Sequence, residues 1–475
     1  MDLPRGCPHA ANAALLAEGT VAEVVLPDDV PGMAVLGHEA LKELIGHPDV
    51  AKDARHFTAL REGRIPDGWP LRTFATVAGM VTSDGEDHRR LRSLTGKAFT
   101  ARRVEALRPG VERLTSDLLD GVERVAAATD DGVVDLRQHF ALPLPLSVIG
   151  ELLGVDEEFR DRLHVLSNQV VSTDLGPEEV LAANREMVEV LGAVAASRAR
   201  RPGDDLTSAL IAARDEEPDA DGSGGGNGVD GDGDSDNGLD SDGDSGNSVG
   251  RDGDSGNGDE GGNGGDGRER HDDDREGVAD RLSESELIGT MLVMIVAGHE
   301  TTLNLITNAV RALLAHPDQL DMIRSGEADW ADAVEETLRW DSPVSFFPFR
   351  YPTRDVTVDG TLIPRGTPVL AGFSAAGRDP AAYGPDADRF DVTRARRDVR
   401  AGRGGRGRFT TRHLSLGHGT HYCLGAPLAR METAIALRQL FTRFPGLSLA
   451  VPEDELPYNP SFVSNSVREL PVRLR

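Results

Sequence analysis

The sequence predicts a mainly α-helical protein with small β-sheets, and three observations predict it. Several long stretches carry Leu, Val and Ala at helical spacing, the β-type segments are short and scattered, and one stretch is long enough for a central core helix. In chain order, residues 24–25 and 33–36 give the first strand signals, and helical spacing follows over 104–128, 143–153 and 178–200. Ser283 and Glu286 then form a capping box and Pro317 closes the far end, so the helix between them runs about 30 residues, or roughly 45 Å. Strand signals return at 356–362, 369–370 and 472–474, and a helical pattern begins just after Cys423.

A chain of 475 residues can bury a sizeable core, and a single domain over 1–475 is expected, interrupted by an insert at 215–276. Two cysteines exclude a disulfide framework. Residues 1–21 hold no apolar core behind a basic region, and the longest apolar run, near 287–297, is too short for a bilayer, so a cytoplasmic protein without a membrane partner is expected. The net charge of −29 argues against nucleic acid, but much of it is local: 215–276 holds 22 acids against four arginines. That insert is Gly, Asp, Ser and Asn with almost nothing apolar, so it is expected to be a disordered loop. Its alternating Asp230, Asp232, Asp234 and Asp236 suggest an EF-hand, yet a loop starting at Asp232 lacks the glycine at its sixth position and has Gly243 where a glutamate belongs.

Cys423 lies in Leu416-Gly417-His418-Gly419-Thr420-His421-Tyr422-Cys423-Leu424-Gly425, directly ahead of a helical pattern. Gly417, Gly419 and Gly425 can take positive φ and bring backbone close to a flat ligand, while the helix start aims amides at the sulfur. This favours a thiolate, which suits an axial haem ligand. Zinc at His418, His421 and Cys423 is the rival reading, but structural zinc takes four ligands and the other cysteine, Cys7, is remote in sequence.

Further upstream, 297–302 reads Ala-Gly-His-Glu-Thr-Thr and places an acid and two hydroxyls in an apolar helix. The threonines can bond back to the preceding turn and Glu300 can find an arginine. Buried acids nevertheless cluster at functional sites, and Gly298 would open room for dioxygen against the helix.

The cysteine segment resembles the haem-binding loop of cytochrome P450 enzymes, F-G-x-G-x-[HR]-x-C-x-G, with Leu416 in place of the aromatic residue. The helix segment is similar to the family's A-G-x-[DE]-T-[TS] motif. The resemblance covers the chain apart from the insert and implies the family's mainly helical fold, haem b held through iron by Cys423, and a cofactor site that includes Ala297, Gly298, Leu416, Gly417 and Gly425. It implies Thr301 as hydrogen-bond donor to the reacting oxygen and Glu300 as the gate for protons. It carries the propionate positions to His88, Arg92, Arg350 and His421, and a structural triad to Glu336, Arg339 and Arg389. Substrate contacts are expected from 60–81, 163–187, 293–297, 344–347 and 461–463, a mostly apolar set.

The implied activity is a monooxygenase acting with O2 on a hydrophobic small molecule, by hydroxylation or epoxidation, in polyketide- or macrolide-like tailoring. Electrons are expected from NAD(P)H through a separate ferredoxin reductase and ferredoxin, with the chain a monomer. The arginine-rich stretch 394–412, eight arginines and one acid, is expected to steer the acidic donor, with the acidic insert competing for the same surface. Two rivals remain, a non-catalytic scaffold for a partner enzyme and a haem oxidase that couples rings.

Overall fold

The computed structural model describes residues 7–66, 68–77, 79–96, 99–170, 176–215, 282–400 and 412–475. The described elements all belong to one unit, 1–215 together with 280–475. The expected insert lies outside the described residues except for Asp215, which ends a helix.

The helices, numbered along the chain, are α1 (Pro8–Glu18), α2 (His38–Gly46), α3 (Thr58–Arg61), α4 (Arg72–Thr76), α5 (Gly85–Gly96), α6 (Ala101–Ala128), α7 (Pro143–Leu152), α8 (Glu157–Val170), α9 (Pro177–Arg200), α10 (Leu206–Asp215), α11 (Glu284–Ala315), α12 (Pro317–Arg324), α13 (Trp330–Trp340), α14 (Phe373–Gly377), α15 (Pro380–Tyr383), α16 (Arg394–Arg400) and α17 (Ala426–Arg443). The expected long helix is α11. Its capping box forms as the sequence requires: Glu286 N donates to Ser283 Oγ at 3.1 Å, and Ser283 N donates to Glu286 Oε2 at 2.7 Å. Every residue from Thr302 to Leu313 is buried, which fits a helix enclosed on all sides by α7, α9, α13 and α17. None of the helices among the described residues is long and apolar enough to cross a membrane.

The strands are β1 (Val21–Leu26), β2 (Val30–Val35), β3 (Val50–Ala51), β4 (Val133–Asp135), β5 (Phe346–Pro352), β6 (Val356–Val358), β7 (Thr361–Ile363), β8 (Val369–Gly372), β9 (Ser448–Leu449) and β10 (Pro471–Arg473). They make a five-stranded sheet in the order β1-β2-β8-β5-β3, a three-stranded sheet β4-β10-β9, and the hairpin β6-β7. The signal at 356–362 is therefore two strands. Asp359 and Gly360 turn between them with φ of 44° and 77°, the left-handed pair that a tight hairpin needs. Strand β5 escapes a pattern search because two prolines interrupt it, and its pairing with β8 shifts register across Pro348. It matters for function, since it carries Phe347 and Arg350. One apolar cluster fills the helical part and two smaller ones lie on the faces of the larger sheet.

Candidate functional site

The loop before α17 is built by its own backbone. Gly417 holds φ at 78°, and a Cβ there would sit 3.1 Å from the His421 carbonyl, so this crossing admits only glycine without rearrangement. Cys423 N donates to the Leu416 carbonyl at 2.7 Å, which closes the loop on the residue that replaces the family aromatic. Gly425 corrects the expectation of positive φ: it lies at −79° and serves as the N-cap of α17, with a virtual Cβ 4.0 Å from the Cys423 sulfur. Its amide and that of Ala426 both bond toward the sulfur, as the helix start predicts.

Cys423 is open to water at its surface yet surrounded by protein, so the thiol sits in a recess rather than on the outside. Burial raises its pKa above the ordinary thiol value, against the lowering pull of the Gly425 amide, Arg430, Arg92 and the Ala426 amide. This corrects the expectation that the loop and helix alone favour the thiolate. The amides prepare the site for a thiolate, and a metal cation on the sulfur is what stabilises it fully.

On α11, Ala297 is exposed in the middle of a core helix, so this turn borders internal open space. Gly298 does not: a Cβ there would lie 2.7 Å from Ile149 Cδ1, so its bare Cα lets α7 pack against α11 rather than opening room for dioxygen. Thr301 Oγ1 donates to the Ala297 carbonyl at 2.6 Å. Glu300 bonds to Ser464, on the turn before β10, and burial raises its pKa against the lowering pull of Ser464 and of the Arg137 charge. Both bland expectations for this segment, back-bonding threonine and a neighbouring arginine, therefore hold in the resting protein. The preceding His299, buried, bonds through Nδ1 to Ser167 on α8 at 2.9 Å.

Four basic side chains from three segments converge as the resemblance implies. The His88 and His421 rings are 4.0 Å apart, and Arg92 donates to the Tyr422 carbonyl at 2.8 Å. Arg350 is buried with Nη1 unpartnered, and His88 is buried with Nε2 unpartnered. Burial lowers His88 to about 4, with His421 and Arg92 adding to the effect, and burial lowers Arg350 to about 10. The same group includes two residues that sequence reasoning missed. Asp84 accepts the amides of Lys52 and Asp53 at 2.8 Å and lies 3.8 Å from His421; Lys52 is buried with its ammonium on the Phe349 carbonyl at 2.8 Å. Lys52 sits in a polar run that reads as ordinary surface, and only the pairing of β3 with β5 brings it to the site.

The structural triad needs one correction. Glu336 takes two hydrogen bonds from Arg339, at 2.7 and 2.8 Å, and Arg339 also donates to the carbonyls of Gly377, Ala387 and Arg389. The third cation is Arg394, buried with Nε 3.4 Å from Glu336 Oε1, whereas the Arg389 side chain is exposed and only its carbonyl takes part. Arg394 belongs to the arginine-rich stretch, as do Arg396 and Arg397, which pair with Asp329, Asp332, Asp386 and Asp391. These three arginines are paired within the chain, whereas among the described residues Arg412 donates only to the Ala382 carbonyl at 3.0 Å, and 401–411, the rest of the stretch expected to steer a donor, lie outside the described residues. Next to the triad, Glu335 binds both Arg430 and His413 (3.0 Å), and Arg430 reaches the Tyr422 hydroxyl at 3.1 Å.

Of the expected substrate contacts, Phe346 is fully buried in the core beneath the sheet, while Val344 and Phe347 are partly open. Phe74 and Val165 are exposed, each at 42%. A groove of 420 Å³ along α6, lined by Asp117, Arg124 and His139, holds none of the site residues.

These residues fit haem. A recessed thiol with amides on its sulfur would serve as the sulfur ligand, and the orphaned nitrogens of Arg350 and His88 lie in a group with more buried cations than carboxylates, which suits a dianionic edge. No cluster of three or more His, Cys, Asp or Glu able to hold a metal ion occurs among the described residues, so His418, His421 and Cys423 are not gathered into one here.

The comparisons agree. A family model described as cytochrome P450 matches residues 331–468. The 2-hydroxy-5-methyl-1-naphthoate 7-hydroxylase of Streptomyces carzinostaticus is 35% identical over 468 residues, 98% of this chain and 95% of that protein. The 6-deoxyerythronolide B hydroxylase of Saccharopolyspora erythraea is 37% identical over 402 residues, 84% of this chain and 78% of that one. Among solved structures, CYP154A1 of Streptomyces coelicolor A3(2) matches with a TM-score of 0.77 at 39% identity, covering 100% of both chains.

Proposed function

The chain belongs to the cytochrome P450 family, and on that premise we propose that it tailors a hydrophobic secondary metabolite of the polyketide or macrolide kind by hydroxylation or epoxidation. It is a haem-thiolate monooxygenase. Haem, when bound, supplies the iron centre at which dioxygen is reduced, one oxygen atom going to substrate and the other leaving as water.

The chain's own residues do the rest. Cys423 would hold the haem iron through its sulfur, steadied by the amides of Gly425 and Ala426. His88, Arg92, Arg350 and His421 hold the propionates through charge-assisted hydrogen bonds. Thr301 and Glu300 manage protons. The Thr301 hydroxyl, which donates to the Ala297 carbonyl at rest, rotates about one torsion to present its hydrogen to the open side of α11. Glu300, with its pKa raised by burial, keeps a proton closer to neutral pH than a free carboxyl does and resupplies that hydroxyl. Val344, Phe347 and Phe74 give apolar contact to substrate.

Separate redox partners deliver the electrons; we assign them as an NAD(P)H-dependent ferredoxin reductase and a ferredoxin, and the enzyme as a monomer. The observation that carries the reading is the recessed Cys423 thiol with two backbone amides on its sulfur. Haem-loaded protein titrated with a panel of polyketides and macrolides, followed by turnover under 18O2, tests it. A low- to high-spin shift with a product heavier by one 18O atom is expected. No spin shift across the panel, or product without the label, overturns the substrate and reaction assigned.

A further inference from the structure

Lys52 is a buried cation that has no carboxylate to itself among the described residues. It lies just past β3, 6% exposed, with its ammonium 2.8 Å from the Phe349 carbonyl and 4.8 Å over the Phe347 ring. A buried ammonium ordinarily has a carboxylate beside it, since removal from water disfavours the charge. Among the described residues the one carboxylate whose charge favours it is Asp84. That carboxylate is already committed: it accepts the Lys52 and Asp53 amides and faces His421. Arg350 lies close enough to oppose Lys52, and its own Nη1 is buried without a partner. Burial first, then Arg350, push the ammonium well below its ordinary pKa.

Two buried positive charges thus share one carboxylate at the place where His88, Arg92 and His421 meet. If Lys52 served only to hold the Phe349 carbonyl, a neutral donor would do the same without the burial cost. We infer that Lys52 is a further binding residue for the haem propionates, pairing with Arg350 to present the charge that the second carboxylate neutralises. Because it also contacts the carbonyl of Phe349 and the ring of Phe347, it links the anionic edge of haem to the strand that faces substrate.

This inference rests on the haem-thiolate reading, and the experiment separates the two. Full-length wild type, K52M and K52Q are loaded with haem or with haem dimethyl ester, whose propionates carry no charge, and pigment transfer to apomyoglobin is timed from the Soret band. Both variants are expected to lose haem about ten- to hundredfold faster than wild type, the scale of a hydrogen bond to a charged group, and to lose the diester at the wild-type rate. K52Q keeps a donor for the Phe349 carbonyl, so it decides the question if K52M does not fold. Equal haem loss in K52Q and wild type, or the same acceleration for both pigments, overturns the role of Lys52. Wild type that takes up no haem overturns the haem-thiolate reading itself.

Discussion

The sulfur side and the carboxylate side of the site are built in opposite ways. Around Cys423 the chain uses its own backbone: ten consecutive residues, two glycines with positive φ, and two amides at the start of α17. Around Arg350 it uses side-chain charge gathered from β3, α5, β5 and the cysteine loop, with Asp84 as the shared carboxylate. A ligand atom that must be placed at one point is served by a short rigid loop. A dianionic edge is served by cations that only the tertiary fold can collect, and their burial is what gives them strength.

The largest expected effect lies at the buried Glu336–Arg339–Arg394 ion cluster. R339M removes a buried charge from Glu336 and three carbonyls, and is expected to cost about 3–5 kcal/mol of unfolding free energy. R389M, on an exposed side chain, is expected to cost less than about 0.5 kcal/mol. Urea unfolding of R339M, R389M and R394M checks the assignment of Arg394 rather than Arg389 as third partner; equal losses in R394M and R389M contradict it.

Glu335 gives the next effect. His413 and Arg430 overcome the effect of burial and hold its carboxyl at about 2, below the ordinary 4.5. A depressed carboxylate stabilises the fold above its unfolded pKa, and that contribution disappears as pH falls from 4.5 toward 2. The stability gap between wild type and E335Q is therefore expected to be about 3 kcal/mol at pH 6 and to shrink steadily below pH 4.5. A gap independent of pH contradicts the ion pair.

On the carboxylate side, R350M is expected to speed haem loss about ten- to hundredfold while leaving the thiolate-type spectrum of the haem that stays bound unchanged. A changed spectrum shows that the two sides are not separable in this way. A modest gain in stability is expected from removing 219–273. A shorter chain between 215 and 282 costs less entropy to close, so the melting curve should report a gain of about 1.5 kcal/mol. A loss instead shows that the insert packs.

The contiguous parts of the site were legible because their chemistry lies in adjacent residues. The cysteine loop, the acid–alcohol pair and the Ser283 capping box could each be read from a few positions. What stayed hidden depends on partners far away in sequence. Gly298 reads as oxygen space until Ile149 is found against it. Arg389 reads as the triad member because it precedes Phe390, yet the turn at Asp391 delivers Arg394 to Glu336. Lys52 reads as a surface lysine until β3 pairs with β5, and β5 itself is masked by its prolines. The thiol's raised pKa was missed for a related reason, since helix amides can be read from sequence but the depth of burial cannot.

The most direct test of the central claim is the reduced-plus-carbon-monoxide difference spectrum of wild type and C423S. The account predicts the red-shifted thiolate-type Soret band in wild type and its loss in the variant. A band of the neutral-ligand type in freshly purified wild type, or a thiolate-type band that survives in C423S, would contradict it.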